Sequence, residues 1–225
     1  MLNKETRFPI KPFLEKHHIR TVIFDLDGTL LDNNPYHLTS WLEYLKEKNI
    51  HITREEYDTH MNGRTNKDAI EYVFNRKMDE SELRKIIEEK EAVYRKIYAS
   101  HIRPIDGLLS FLELLAHLKI KMGIATSGIQ PNIDFMFDHI PIKKYFSAVV
   151  NSSHIKKGKP DPEIFITTAR QLYAEPAECL VFEDSLPGVE AALRAGMHVI
   201  AITTSHEPEA FHSVDMAIAN YNQIL

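Results

Sequence analysis

Short runs of apolar, largely β-branched residues recur along the chain, and segments with helical periodicity separate them. This alternation predicts an α/β fold in which helices cover both faces of a parallel sheet. Ligands of such sheets bind beyond the carboxyl ends of the strands, so we expect the functional residues directly after the runs. The predicted strands are Thr21–Phe24, Lys121–Ala125, Ala148–Val150, Leu180–Phe182 and Val199–Ile202.

One long stretch interrupts the alternation, because residues 34–102 carry helical periodicity and no convincing strand. We therefore predict a core domain formed by residues 1–33 and 103–225, and an inserted all-helical domain formed by residues 34–102. The two crossings between the domains, near residues 32–35 and 101–106, are expected to act as hinges.

Composition and charge disfavour several classes of protein. The hydrophobic fraction of 44% is typical of a globular chain, and the net charge of -5, with basic residues spread among acids, argues against nucleic acid as a partner. A single cysteine, Cys179, excludes an intramolecular disulfide and fits a reducing compartment. The first 18 residues contain charges and two prolines, so they predict neither a signal peptide nor a membrane anchor. We expect a cytoplasmic monomer without a membrane partner.

Two aspartates follow the first predicted strand. Asp25 and Asp27 are two positions apart, and Gly28 permits the turn that would bring both carboxylates into one space. Carboxylates this close repel each other unless a cation such as Mg²⁺ lies between them. One could then act as a nucleophile while the other transfers protons. An Asp-x-Asp-Gly turn is nevertheless common on protein surfaces, so the pair alone is weak evidence.

The segment Phe24-Asp25-Leu26-Asp27-Gly28-Thr29 resembles the nucleophile motif of the haloacid dehalogenase superfamily. Three further segments resemble the family's other motifs and follow in the family's order. These are Ala125-Thr126-Ser127-Gly128, the lysine motif Gly158-Lys159-Pro160-Asp161, and the acidic motif Phe182-Glu183-Asp184-Ser185. The resemblance implies a Rossmann-like, doubly wound core with a helical cap. It points to the branch that contains β-phosphoglucomutase-like and phosphoglycolate-phosphatase-like enzymes.

The resemblance also implies a magnesium-dependent phosphotransferase. In such an enzyme Asp25 would attack phosphorus, and Asp27 would protonate the leaving oxygen and later activate water. Asp184 would ligate Mg²⁺ together with Asp25 and the carbonyl of Asp27, and Glu183 would serve as a further ligand or as support.

The remaining motif residues are implied to hold the phosphoryl group. Thr126 would donate its hydroxyl to a phosphoryl oxygen, and the backbone of Ser127 and Gly128 would lie beside it. Lys159 would hold both the phosphate and Asp25.

Three residues of the inserted domain are candidates for substrate binding. His37 matches a histidine that in β-phosphoglucomutase helps to position the catalytic acid, although a lone histidine is more often structural. Lys90 interrupts the apolar stripe of its helix. Its stem could pass the apolar core so that the ammonium reaches solvent, or the ammonium could contact the substrate. Arg64 is the third candidate.

Departures from the mutase pattern favour a phosphatase that acts on a small phosphorylated metabolite. A mutase has to hold a second phosphate, yet Asn66 stands where the mutase cap has an arginine, and Gly128-Ile129 stands where the core loop has a serine and a lysine. A phosphosugar mutase is the alternative. A dehalogenase is disfavoured because it does not need Asp27. A catalytically silent binding protein is the distant alternative, which loss of a catalytic residue would have supported.

Overall fold

The computed structural model describes residues 8–62 and 64–225. These residues form two compact units, a core unit of residues 8–32 and Arg103–Leu225 and an inserted unit of Asn33–Ile102. The insertion therefore begins one residue earlier than the sequence predicts. Residues 1–7, which belong to the segment predicted to be neither signal peptide nor anchor, lie outside the described residues.

Within the described residues, the core unit contains a six-stranded parallel sheet with the order β3-β2-β1-β4-β5-β6. The strands are β1 Thr21–Phe24, β2 Lys121–Ala125, β3 Ala148–Val150, β4 Cys179–Glu183, β5 His198–Ile202 and β6 Met216–Ile218. The first five contain the predicted runs, so the predicted α/β fold is confirmed. The sixth, at the edge of the sheet beside β5, was not predicted from the sequence.

Helices of the core unit flank this sheet, and those of the inserted unit follow β1. In the described parts of the chain the α-helices are α1 Ile10–Lys16, α2 Asn34–Lys46, α3 Arg54–His60, α4 Asn66–Val73, α5 Glu80–Tyr98, α6 Leu108–His117, α7 Gln130–His139, α8 Glu163–Gln171 and α9 Leu186–Arg194. In the core unit, α8 packs on β1, β2 and β3, whereas α9 packs on β4 and β5. The apolar side chains between these layers are buried.

Buried aromatic rings fix the strand ends that lead into the motifs. Phe24 is paired in register with Phe182, and the two rings stack with centroids 5.3 Å apart. The ring of Phe111, from α6, meets the ring of Phe182 edge-on at 5.2 Å. Such aromatic contacts contribute about 0.5–1.5 kcal/mol beyond the burial of their area. Because Phe24 and Phe182 lie side by side, the residues that follow them, Asp25 and Glu183, emerge together at one edge of the sheet.

The inserted unit is held together by an apolar cluster between its helices. Trp41, Tyr44 and Leu45 from α2 pack with Leu83 and Ile86 from α5 in this cluster. Helix α5 begins after Asp79, whose carboxylate accepts a hydrogen bond of 2.9 Å from the amide of Glu82. Such a cap satisfies an amide that has no partner within the helix.

The two ends of the core chain at the insertion lie next to each other. The amide of Asp32 donates to the carbonyl of Arg103 at 3.3 Å, and the guanidinium of Arg103 pairs with the Asp32 carboxylate. Leu31 and Pro104 form an antiparallel bridge beside them. Among the described residues, every helix is too short or too polar to cross a lipid bilayer.

Candidate active site

Asp25 follows β1 directly, and its carboxylate is buried against the ammonium of Lys159. Lys159 Nζ lies 2.6 Å from Asp25 Oδ1, 2.5 Å from Glu183 Oε1 and 3.3 Å from the carbonyl oxygen of Ala125. An ammonium group has three protons, so these acceptors can use all of them. Lys159 lies in the loop before α8, and it therefore joins that loop to the carboxyl ends of β1, β2 and β4.

The pKa values of both partners of this ion pair are raised, which favours the charged form of Lys159 and the neutral form of Asp25. Burial acts to lower the pKa of Lys159, but attraction by Asp25 and Glu183 outweighs it and raises that pKa above its ordinary value. The pKa of Asp25 is raised well above its ordinary range, first by burial and then by Glu183, Asp184 and Asp27, while Lys159 opposes the shift. Lys159 stays charged because two carboxylates attract it, whereas ionisation of Asp25 is disfavoured because several neighbouring acids share one ammonium.

Three carboxylates of the site converge closely enough to hold one ion. Asp25, Glu183 and Asp184 each offer an oxygen, and these oxygens lie within 4.8 Å of one another. The Glu183 carboxylate is already held, because its Oε2 accepts from the amide and the hydroxyl of Ser185 at 2.6 and 2.9 Å while its Oε1 accepts from Lys159. Glu183 is therefore fixed at both oxygens by groups of the core unit.

The charge balance of the cluster fits a divalent cation. The charges that act on Asp25 come from three carboxylates, those of Asp27, Glu183 and Asp184, and from the ammonium of Lys159. Carboxylate and carbonyl oxygens are the ligands that Mg²⁺ prefers, and a divalent ion would offset the excess negative charge that raises the pKa of Asp25. The residues present therefore fit the magnesium ion that the sequence motifs predict.

The loop after β2 brings a hydroxyl to the same edge of the sheet. Thr126 is buried, and its Oγ1 accepts a hydrogen bond of 2.9 Å from the amide of Gly128. Within the part of the chain that the structure describes, nothing accepts the Thr126 hydroxyl proton, which can therefore be donated to a bound anion. A Cβ at position 128 would lie 3.8 Å from Asp27 Oδ2, so the Asp27 carboxylate lies beside this loop.

Ser127 and Gly128, the other predicted substrate contacts in this loop, follow Thr126 directly. The amide of Gly128 donates to Thr126 Oγ1 within the loop, and a contact of Gly128 with a substrate stays a prediction. Ser127 is half-buried between Thr126 and Gly128, and its contact with a substrate stays a prediction.

In the inserted unit, the side chains of His37 and Lys90 are in contact. Lys90 Nζ is 3.0 Å from Glu91 Oε1 and 3.3 Å from His37 Nδ1, and the Lys90 side chain is 3% exposed. Its ammonium therefore does not reach solvent, which excludes that alternative. The His37 ring stacks on the ring of Tyr94 with centroids 4.0 Å apart. Arg64 is exposed, and substrate contacts of all three candidates stay predictions.

Sequence reasoning missed several residues that hold the predicted ones. Glu91 pairs with Lys90, and no sequence pattern distinguishes it from the exposed glutamates of the same helix. Ser185 was detectable, because a serine before Leu186-Pro187 is typical of a helix N-cap, and its Oγ accepts from Gly188 N at 3.1 Å. Thr204 and Ser205 follow β5 and contact Asp184. Their position directly after a strand of the parallel sheet could have marked them as site residues, because ligands bind at these strand ends.

Comparison with known proteins agrees with this fold and site. A model of the haloacid dehalogenase-like hydrolases matches residues 22–202. β-Phosphoglucomutase of Bacillus subtilis is 30% identical over 192 residues, which cover 82% of this chain and 83% of that protein. The chloroplastic 5-amino-6-(5-phospho-D-ribitylamino)uracil phosphatase of Arabidopsis thaliana is 27% identical over 203 residues, 90% of this chain but 54% of that protein. The chain therefore spans about half the length of this second relative.

A solved structure provides the corresponding comparison of the fold. The crystal structure of a family IA, variant 3 hydrolase from Entamoeba histolytica matches with a TM-score of 0.84 and 30% identity, covering 92% of this chain and 96% of that chain. The family match, together with the sheet and the acidic site, identifies an enzyme of the phosphatase class. The chain belongs to the haloacid dehalogenase-like hydrolases. The predicted family and enzyme class are confirmed.

The close packing of Gly188 against Glu183 generates a first prediction. Replacing a helical glycine with alanine ordinarily stabilises a protein by about 0.5–1 kcal/mol. Here an added Cβ would overlap the Glu183 carboxylate, so Gly188→Ala should lower the free energy of unfolding measured by denaturant titration. In a Glu183→Asp background the shorter side chain makes room, and the penalty should shrink. An equal penalty in both backgrounds would contradict this explanation.

The raised pKa of Asp25 generates a second prediction. The folded state binds this proton more tightly than the unfolded state, so ionisation of Asp25 progressively destabilises the fold as pH rises above about 4. Metal-free Asp25→Asn should therefore melt at a higher temperature than wild type at neutral pH, and the difference should vanish in acid. Each kcal/mol corresponds to about 2–4 °C in a chain of this size. Asp134→Asn, an exposed change of the same charge, is the control, and equal behaviour of both variants would refute the prediction.

Proposed function

We propose that this protein is a magnesium-dependent phosphatase that hydrolyses a small phosphate ester through a phospho-aspartyl intermediate on Asp25. The observation that carries the proposal is the buried Asp25 carboxylate, which lies 2.6 Å from Lys159 Nζ and within 4.8 Å of oxygens of Glu183 and Asp184. Attack on phosphorus requires a nucleophile that is held in a fixed direction. The contact with Lys159 supports that requirement.

The proposed reaction has two displacements at phosphorus. First, an Asp25 oxygen bonds to phosphorus while the bond to the ester oxygen breaks, and Asp27 gives its proton to the leaving oxygen. Then Asp27 takes a proton from water, the water oxygen bonds to phosphorus, and the bond to Asp25 breaks to release inorganic phosphate. Asp27 is more exposed than Asp25, which supports its proposed contact with water and with the leaving group.

The proposed metal ligands are the carboxylates of Asp25 and Asp184 and the backbone carbonyl of Asp27. Bound Mg²⁺ would neutralise charge on the phosphoryl oxygens and hold the phosphate in place. We assign Glu183 to support instead of ligation, because its two oxygens already accept from Lys159 and Ser185. Of the two roles that the sequence allows for Glu183, we therefore propose support.

The proposed contacts with the phosphoryl group are the Thr126 hydroxyl, the Lys159 ammonium and the backbone of Ser127. Hydrogen-bond donors aimed at developing negative charge are a large source of catalysis in such sites. Gly128 would act indirectly, because its amide donates to Thr126 Oγ1 and so turns the hydroxyl proton outwards.

The proposed substrate class is a phosphorylated sugar or polyol. One relative is named for phosphorylated glucose and the other for a compound with a phosphorylated ribityl chain. His37, Arg64 and Lys90 of the inserted unit are the proposed contacts with the rest of the substrate. Hydrolysis is preferred to a mutase reaction because Asn66, Gly128 and Ile129 provide no cationic side chain for a second phosphate.

Separate substitutions of the two aspartates test the mechanism. With p-nitrophenyl phosphate and Mg²⁺, Asp25→Asn should abolish turnover and phosphoenzyme, because the nucleophile is lost. Asp27→Asn should retain phosphorylation by this activated ester, whose leaving group needs no proton, but should lose about 10²–10⁴-fold in hydrolysis of the intermediate. Rapid-quench detection of the phosphoenzyme distinguishes the two defects. Full turnover after exhaustive chelation, or a phosphoenzyme in Asp25→Asn, would refute the mechanism.

A sugar phosphate distinguishes the phosphatase from the mutase. Incubation with β-glucose 1-phosphate should release inorganic phosphate faster than it forms glucose 6-phosphate, because a bound bisphosphate intermediate would lack a cationic clamp. The products are measured together by coupled assays, with glucose 1,6-bisphosphate added to prime any mutase activity. Predominant formation of glucose 6-phosphate would favour the mutase.

A further inference from the structure

Thr204 contacts two separate parts of the active site, although it lies outside all four motifs. It is the second residue after β5, and its side chain is half-buried. Its Oγ1 lies 2.6 Å from the carbonyl oxygen of Gly28 and 3.3 Å from Asp184 Oδ2. Gly28 immediately follows Asp27, and Asp184 is a proposed metal ligand. Thr204 therefore touches both the turn of the proposed acid and the proposed metal site.

The chemistry of a hydroxyl explains how one side chain can join these parts. A carbonyl oxygen and a carboxylate are both acceptors, so the single proton of Thr204 is shared between them. The shorter distance to Gly28 marks that carbonyl as the main acceptor, and the Asp184 contact is the weaker branch. Gly28 has a φ of +70°, so its carbonyl belongs to a tight turn that is available chiefly to glycine.

The next residue holds the backbone of the same aspartate. Ser205 Oγ donates to the carbonyl oxygen of Asp184, and it lies 2.8 Å from His206 Nδ1. Because Ser205 gives its proton to Asp184, it accepts from His206, which must then carry its proton on Nδ1. Asp184 is thus held at its carbonyl by Ser205 and at its carboxylate by Thr204.

We propose that Thr204 is a positioning residue that orients the Asp184 carboxylate towards Mg²⁺ and fixes it relative to the Asp27-Gly28 turn. The inference rests on the proposed function, because it assigns Asp184 to the metal. A carboxylate can rotate about its side-chain bonds, and a hydrogen bond to one of its oxygens restricts that rotation. The hydrogen bond to the Gly28 carbonyl holds the Thr204 side chain in place. The Asp184 carboxylate is therefore oriented by a group that the core unit itself fixes.

The test compares Thr204→Val, which removes the hydroxyl at nearly constant volume, with Thr204→Ser, which retains it. Thr203→Val is the matched control, because the Thr203 hydroxyl contacts the carbonyl of Ile218 at 3.4 Å. Mn²⁺ binding to the resting enzyme is measured by electron paramagnetic resonance. Loss of a group that orients a metal ligand costs about 10–100-fold in metal affinity. We expect a loss of about 10-fold for Thr204→Val, and binding close to that of wild type for Thr204→Ser and Thr203→Val.

A second measurement follows the dependence of p-nitrophenyl phosphate hydrolysis on Mg²⁺. Thr204→Val should require about 10-fold more Mg²⁺ for half-maximal activity, whereas Thr204→Ser should restore the wild-type requirement. Thr204→Ala replaces Thr204→Val if the latter does not fold, as judged by thermal melting of the metal-free proteins.

The outcomes separate this inference from the function on which it rests. If wild type binds no Mn²⁺, the magnesium-dependent function fails and the positioning role fails with it. If wild type binds Mn²⁺ and Thr204→Val binds it equally well, the positioning role alone is overturned. Weakened binding in both Thr204→Ser and Thr203→Val would also overturn it, because the effect would then not follow the hydroxyl.

Discussion

The buried ammonium of Lys159 is the interaction on which the active edge of the core depends. It binds Asp25 and Glu183, which emerge from neighbouring strands because Phe24 and Phe182 are paired in register. Removing this ammonium would leave two buried carboxylates without a countercharge, and breaking a buried ion pair in this way costs about 3–5 kcal/mol. The sheet thus brings the acids together, and the ammonium makes that proximity tolerable.

Burying several acids at one site lowers the stability of the fold. Burial and neighbouring acids raise the pKa of Asp25, so its ionised form is disfavoured in the folded protein. The apolar core compensates for this cost, because the stacked rings of Phe24 and Phe182 lie directly behind the acids. A rigid hydrophobic layer can therefore hold charged groups in an arrangement that they would not adopt by themselves.

Much of this architecture could be predicted because the chemistry lies where strands end. A run such as Thr21–Phe24 displays its burial in the sequence, and Asp25 follows it at once. Contacts between residues distant in the sequence are different. Thr204 and Gly28 are 176 positions apart, and no pattern in either segment predicts their contact. The sequence left the role of Glu183 open for a related reason. A glutamate that ligates a metal and a glutamate that supports a ligand look the same in the sequence. The hydrogen bonds from Ser185 to Glu183 support the second role, and they are visible only in the fold.

The backbone contact between Asp32 and Arg103 has a consequence for how such a chain can change. The polypeptide leaves the core and returns to it at adjacent points, so the intervening segment closes a loop whose ends are already together. The entropy of closing a loop grows only slowly with its length, about 0.6 kcal/mol for each doubling. Segments of different size and sequence could therefore be grafted between these two residues while the strand order stays the same. Duplication, exchange or trimming of this segment offers evolution and engineering a route to new specificities on one catalytic framework.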